Sequence, residues 1–328
     1  MKISVAMCTY NGARYVREQL ESIAAQTRAP DELVVCDDQS TDTTCEIVTG
    51  FAASAPFPVH LHVNEQNLGS IKNFERAIRL CEGDVIALSD QDDVWLPEKL
   101  SRIEDCLLRN PEVGLVFTDG EVVDEHLRPL GYRLWESVGF DEVHRRLVRT
   151  GRVLDLLLPG WTVTGATMAF RASFKDLVLE IPTDIPLIHD GWIALLIASV
   201  AEVSFIEEPL IKYRQHARQQ IGAKEKKTDE NGAVGLSGVK EAMRRTNSYQ
   251  QMIEIGTQAH HRLAEHRDVY KSDNALSRLE ARLKHMRARA HLPHGKLSRV
   301  RCVTGELLSR RYHLYSNGFR SAVKDLLA

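Results

Sequence analysis

Apolar positions near the start of the chain follow two periods. Ile3, Val5 and Met7 recur at every second residue, whereas Tyr15, Val16, Leu20 and Ile23 follow at helical spacing. The first pattern predicts a strand over Ile3–Thr9 and the second a helix behind it. Pro30 precedes Leu33–Cys36, a second strand that runs straight into Asp37 and Asp38. Ser40 is placed to cap the helix that follows, whose apolar face begins with Ile47 and Val48. Val59, Leu61 and Val63 predict a short strand, and Phe74, Ala77, Ile78 and Leu80 a helix. Val85–Leu88 reads as a core strand that stops at Ser89-Asp90-Gln91-Asp92-Asp93. Leu96-Pro97 then introduces a helix carrying Leu100, Ile103, Leu107 and Leu108. This repeated alternation predicts a layered α/β domain with functional loops at the strand ends.

The order then loosens. Val113–Phe117 is another strand, Trp161–Phe170 forms strands or a structured loop, His189-Asp190 leads into a Trp192–Val200 helix, and Val203–Ile206 returns to strand composition. The simplest organisation is one catalytic domain over 1–218, a polar linker or mobile loop over 219–240, and a basic, mainly helical extension over 241–328. In the extension Leu276, Leu279, Leu283 and Met286 share one helical face. That face needs a partner: the tail's own core, a membrane or another subunit.

The 328 residues are 43% apolar and 27% charged, the balance of an ordinary globular protein. Six cysteines with no CxxC pair read as reduced thiols. The start lacks the pattern of an export leader, and no apolar run approaches the roughly 18 residues of a spanning helix. Charge is divided unevenly: residues 1–220 hold 21 basic and 34 acidic side chains, residues 221–328 hold 21 and 11. Within 281–328 there are 11 Lys or Arg and two acidic residues, plus His285, His291, His294 and His313. Such a field suits peripheral contact with an anionic membrane, against the alternative of a solvated or domain-facing surface; nucleic acid is not expected.

Asp90, Asp92 and Asp93 leave an apolar strand together, so they need either a cation or the donors of a capped turn. In an extended segment Asp90 and Asp92 project to one side while Asp93 points elsewhere. One face could then address a nucleotide sugar or a metal, and Mg²⁺ or Mn²⁺ suits oxygen ligands. The Asp37-Asp38 turn offers a second polar site at a strand end, either for a ribose or base or simply solvated. Neither GxGxxG nor GxxxxGK[ST] occurs near the early strands, which removes the structural devices of NAD binding and P-loop phosphoryl transfer.

Three segments carry a family likeness in order: Val5-Ala6-Met7-Cys8-Thr9-Tyr10-Asn11-Gly12, Asp37-Asp38-Gln39-Ser40-Thr41-Asp42 and Ser89-Asp90-Gln91-Asp92-Asp93-Val94-Trp95. They continue through Gly160-Trp161-Thr162-Val163-Thr164-Gly165, His189-Asp190-Gly191-Trp192 and Tyr213-Arg214-Gln215-His216. The set resembles the family 2 glycosyltransferases, in the flavour of bacterial rhamnosyl- and related hexosyltransferases that build surface polysaccharides. The resemblance implies a GT-A nucleotide-diphosphosugar transferase fold, a mixed central sheet flanked by helices, and inversion at the sugar carbon. It further implies a dTDP- or UDP-linked donor, a carbohydrate or lipid-linked glycan acceptor, and a cytoplasmic setting at the inner face of the cell membrane.

Carried onto this sequence, the resemblance gives Thr9, Asn11, Asp37 and Asp38 to the nucleotide, with Lys72 and Asn73 supporting the donor site and Asp90 approaching the ribose or diphosphate. Asp92 and His216 would hold the divalent metal, and Asp190 would be the general base. Asp93, Trp161, Thr164, His189 and Trp192 would meet the acceptor. On spacing alone each has a plainer role: Asp190 as a helix cap, Trp161 and Trp192 as core, His189 and His216 as satisfied histidines. A glycoside hydrolase, a sugar nucleotidyltransferase and a non-catalytic sugar-binding protein with the same fold are the competing functions.

Overall fold

The computed structural model describes residues 1–158, 163–217, 219 and 246–327. Trp161 and nearly all of the expected 219–240 linker lie outside the described residues.

Nine strands form one mixed sheet: β1 (Ile3–Thr9), β2 (Glu32–Asp37), β3 (Val59–Val63), β4 (Val85–Ser89), β5 (Val94–Trp95), β6 (Val113–Val123), β7 (Pro129–Arg133), β8 (Met168–Arg171) and β9 (Glu202–Arg214). Their order is β3-β2-β1-β4-β8-β6-β9-β5, with β7 beside β6. The first four neighbours are parallel, β8 is antiparallel to both β4 and β6, and β6 and β9 are parallel. Every residue of β1 is buried, as expected for a central strand covered on both faces.

Four helices alternate with these strands: α1 (Val16–Ala24), α2 (Thr44–Ala52), α3 (Gly69–Leu80) and α4 (Lys99–Arg109). Shorter ones follow, α5 (Leu134–Val138), α6 (Glu142–Arg149), α7 (Leu154–Leu157) and α8 (Lys175–Val178), then α9 (His189–Ala198). Val16, Leu20 and Ile23 of α1 and Leu100, Ile103 and Leu107 of α4 are buried in the main core. Fully burying each such side chain contributes about 1.5–3 kcal/mol.

Three local expectations change. Leu108 is 61% exposed because it lies off the α4 stripe. Ser40 does not cap α2; its hydroxyl donates to Asp37 instead. The predicted Val203–Ile206 strand extends to Arg214, because β9 keeps pairing with β6 across register shifts that accommodate Pro209.

The chain divides into two compact units, one built on the nine strands and the other on α7, Asp184–Leu187 and the C-terminal helices. The latter are α10 (Thr246–Glu265), α11 (Asp273–Ala290), α12 (Lys296–Leu308), α13 (Arg311–Tyr315) and α14 (Phe319–Leu327). The apolar face read from the sequence packs within this unit: Leu283 and Met286 meet Ile253 and Tyr249. Several of its basic residues are internal. Arg289 makes a two-pronged contact with Asp325 at 2.6 and 2.9 Å, and His285 meets Glu306 at 2.7 Å.

Candidate active site

The sheet topology brings separated loops to one edge. Parallel β1, β2, β4, β6 and β9 present their carboxyl ends there, and antiparallel β8 its amino end. That edge therefore collects Asn11, Asp37-Asp38, the Asp90–Asp93 loop, the Gly165 turn and His216, the position where open α/β sheets bind ligands.

Much of the first group turns inward. Thr9 Oγ1 donates to Asp37 Oδ2 at 2.7 Å, and Ser40 donates to both Asp37 oxygens, from its N–H at 2.7 Å and its hydroxyl at 2.6 Å. Asp38 accepts from Asn64 Nδ2, Leu68 N–H and Gly69 N–H at 2.7–2.8 Å, because the free donors at the start of α3 need an acceptor. Gly69 reaches this cap with φ +77°, a conformation suited to glycine. Asn73 bridges Cys36 O and Asn64. Thr9, Asp37, Asp38 and Asn73, expected at the nucleotide, are all at most 3% exposed and build the framework of the loops. Lys72 is tied to Glu75 at 2.8 Å. Asn11 stays at the surface with φ 48°, its Oδ1 accepting from Thr41 N–H at 2.8 Å.

The acidic loop is clamped from three sides. Gln91 Oε1 accepts from Tyr10 N–H at 2.8 Å while its Nε2 donates to Tyr10 O at 3.1 Å. Buried Arg214 donates from Nε to Asp92 O at 2.6 Å, from Nη1 to Glu125 O at 2.7 Å and from Nη2 to Glu18. Arg214 N–H donates to Asp93 Oδ1 at 3.0 Å. Asp93, expected at the acceptor, is 2% exposed and ties β9 to the loop. Burial, followed by Asp92 and Asp90, raises its carboxyl well above the ordinary range. Asp90 is half-buried and pushed up to about 7 by burial and by the charges of Asp92 and Asp190, with Lys99 opposing. Asp90 thus feels both the acidic loop and the expected base, more than 90 residues away in sequence.

His216 Nε2 lies 2.8 Å from Asp92 Oδ2, with its ring centroid 4.7 Å from that of Tyr15. Among the described residues no three His, Cys, Asp or Glu side chains are grouped to hold a metal alone. A carboxylate oxygen beside an imidazole nitrogen is nevertheless a donor pair that suits Mn²⁺ or Mg²⁺, cations that commonly take their remaining ligands from phosphate oxygens and water. The donor set fits such an ion.

Asp190 sits in the first turn of α9 and is 6% exposed. Its Oδ2 accepts from Gly165 N–H at 3.0 Å and its Oδ1 from Gly191 N–H at 2.6 Å. Burial raises the carboxyl to about 6, and the two N–H donors act in the opposite sense. A Cβ on Gly165 would stand 3.2 Å from Asp190 Cβ and from His189 Nε2, so the turn approaches as closely as it does because it has none.

Two expected acceptor contacts are internal. His189 stacks on Phe74 with centroids 4.0 Å apart, and burial lowers its pKa to about 3, so the ring is neutral. Trp192 is 2% exposed, with Nε1 donating to Val178 O at 3.1 Å; its ring packs the core and offers no sugar platform. Thr164 remains half-buried, its carbonyl closing the turn by accepting from Thr167 N–H at 3.0 Å. Sequence reasoning gave no role to Gln91, Arg214 or Lys99. Arg214 lay inside a quoted motif, whereas nothing in the α4 pattern marks Lys99 as fully buried.

The family model for glycosyl transferase family 2 matches residues 4–177. An uncharacterized glycosyltransferase of Nostoc sp. is 27% identical over 259 residues, covering 78% of this chain and 77% of that protein. The dTDP-rhamnosyl transferase RfbG of Shigella flexneri is 38% identical over 108 residues, 32% of this chain and 37% of that one. Among solved structures, S. aureus TarS 1–349 in complex with UDP aligns with TM-score 0.58 at 19% identity, covering 88% of this chain and 71% of that chain. The mannosyltransferase PcManGT of Pyrobaculum calidifontis, solved with GDP-Man and Mn²⁺, aligns with TM-score 0.51 at 18% identity, covering 99% and 87%. With the mixed sheet and its acidic edge, these likenesses establish a GT-A fold, and the chain belongs to glycosyl transferase family 2, the sugar-transferring enzymes.

Proposed function

We propose that the chain catalyses inverting transfer of a sugar, rhamnose or another hexose, from a dTDP- or UDP-linked donor to a carbohydrate hydroxyl on a lipid-linked or growing bacterial polysaccharide. One observation carries this reading: Asp190, a carboxylate raised to about 6 by burial, shares an electrostatic neighbourhood with the Asp90 side of the acidic loop. The names of the Shigella relative and of the UDP-bound TarS structure support the donor class.

In the reaction the acceptor oxygen attacks the anomeric carbon, its proton passes to an Asp190 carboxylate oxygen, and the bond to the nucleotide diphosphate breaks. Gly165 and Gly191 N–H hold that carboxylate in one orientation before the acceptor arrives. Asp92 and His216 would hold a divalent cation, which when bound supplies positive charge for the leaving diphosphate. Arg214 keeps Asp92 within reach of His216, and Asn11 lies on the exposed lip where the nucleotide would lodge.

The test is a panel of dTDP- and UDP-sugars with Mg²⁺, Mn²⁺ or chelator and an undecaprenyl-linked glycan acceptor, followed by linkage analysis. An anomerically inverted product that needs the cation is expected. In a second arm supplied with a nucleoside triphosphate and a sugar 1-phosphate, release of inorganic diphosphate with formation of the nucleotide sugar would instead identify a nucleotidyltransferase.

We also read the C-terminal helices as a peripheral contact with anionic lipid, which would set the enzyme at the cytoplasmic face of the cell membrane. Leu297, Val300 and Leu308 of α12 and Phe319, Val323 and Leu327 of α14 are exposed. Glu306 and Asp325, the two acidic residues of 281–328, are buried in ion pairs, so the exposed charge around these apolar residues is basic. No helix among the described residues is long and apolar enough to cross a membrane. Cosedimentation with anionic vesicles and little with neutral ones is expected, and Leu297→Glu with Phe319→Glu should abolish it. Equal recovery with both vesicle types would remove this reading.

A further inference from the structure

Lys99 is the first residue of α4 and is fully buried. An ammonium seldom enters a core without a task, since desolvation costs several kcal/mol. Its Nζ donates to Ala166 O at 2.7 Å and stands 3.8 Å from the centroid of the Trp95 ring. Ala166 is the middle residue of the Gly165–Thr167 turn, whose first N–H donates to Asp190 Oδ2. Asp93 Oδ2 is buried with no hydrogen-bond partner among the described residues.

We propose that Lys99 is a positioning residue of the active site, anchoring the Gly165 turn against Asp190 from the start of α4. The inference rests on the reading of Asp190 as the base. It gives a physical reason for a lysine at a fully buried position: an apolar side chain would leave Ala166 O without this donor. Desolvation draws Lys99 down to about 7 even against the pull of Asp93 and Asp90, which shows how little water helps it there.

The experiment compares Lys99→Met, which keeps the apolar stem, with Lys99→Arg, which keeps a cation and a donor. For Lys99→Met, kcat should fall roughly tenfold or more while donor KM stays within about twofold, the pattern of a misplaced base rather than lost binding. The acidic limb of kcat/KM should also move upward by about half a pH unit or more, because a slackened Gly165 N–H no longer favours the Asp190 carboxylate. Lys99→Arg should restore the limb. A role in stability alone would lower Tm and leave the limb in place, which would overturn the proposal. If Lys99→Met fails to fold, Lys99→Gln is read against Lys99→Arg by the same two measurements. Asp190→Asn runs in parallel. Its retention of activity would defeat the base assignment itself, whereas an inactive Asp190→Asn beside a Lys99→Met of normal rate and limb would defeat only the role of Lys99.

Discussion

Asp190→Asn is expected to lower kcat roughly 10³-fold, within the 10²–10⁴ range that a positioned general base supplies, while the affinity for the nucleotide sugar changes little. The amide has nearly the shape of the carboxylate, and its oxygen can still accept from Gly165 or Gly191 N–H, so the turn should persist. The pH dependence follows from the sign of the shift. A base must be ionised to work, and burial holds this carboxyl at about 6, so kcat/KM should rise with pH through that value and level off above it. Stability runs the other way. Between the ordinary carboxylate range and about 6 the folded chain holds a proton that the unfolded chain has released, so folding stability contributed by this group falls as pH rises through that window. The amide carries no such burden, and the Tm of Asp190→Asn at pH 8 should be no lower than that of the parent. Steady-state kinetics, donor binding by calorimetry and thermal unfolding check the three statements. A variant with near-parental kcat would remove Asp190 from the chemistry.

Asp92→Ala should cost about as much in rate, on the order of 10²–10³-fold, for a different reason. Asp92 is the only member of the acidic loop whose carboxylate lies within hydrogen-bond distance of His216 among the described residues. Its loss removes the carboxylate oxygen from the donor pair, and an imidazole is too poor a ligand by itself to hold Mn²⁺ against water. Paramagnetic titration with Mn²⁺ in the presence of nucleotide diphosphate should show tight binding in the parent and none in Asp92→Ala. His216→Ala should show weakened binding, because a carboxylate remains. The fold should tolerate both changes: Asp92 is half-buried, and Arg214 grips its carbonyl rather than its side chain. Tight Mn²⁺ binding by Asp92→Ala would displace the metal from this pair.

The strand-and-helix alternation, the acidic tips at Asp37-Asp38 and Asp90–Asp93, and the family likeness were legible along the chain, because backbone periodicity and strand-end chemistry are local. Direction of side chains was not. Thr9, Asp37, Asp38 and Asn73 occupy the expected loops yet face inward, since each buried polar group must find its partner and the nearest donors belong to the loops themselves. Trp192 and His189 have the composition of a sugar subsite but belong to α9, a helix buried along nearly its whole length.

A layered α/β domain with carboxylates at its strand ends was readable along the chain, because period and loop chemistry require no knowledge of distant neighbours. Folding alone brings Asp92 to His216 across 124 positions, sets Lys99 against the Gly165 turn, and buries Glu306 and Asp325 in ion pairs inside the C-terminal unit. Those outcomes depend on strand order and on which faces are covered, so they arise when the chain closes on itself and water is excluded.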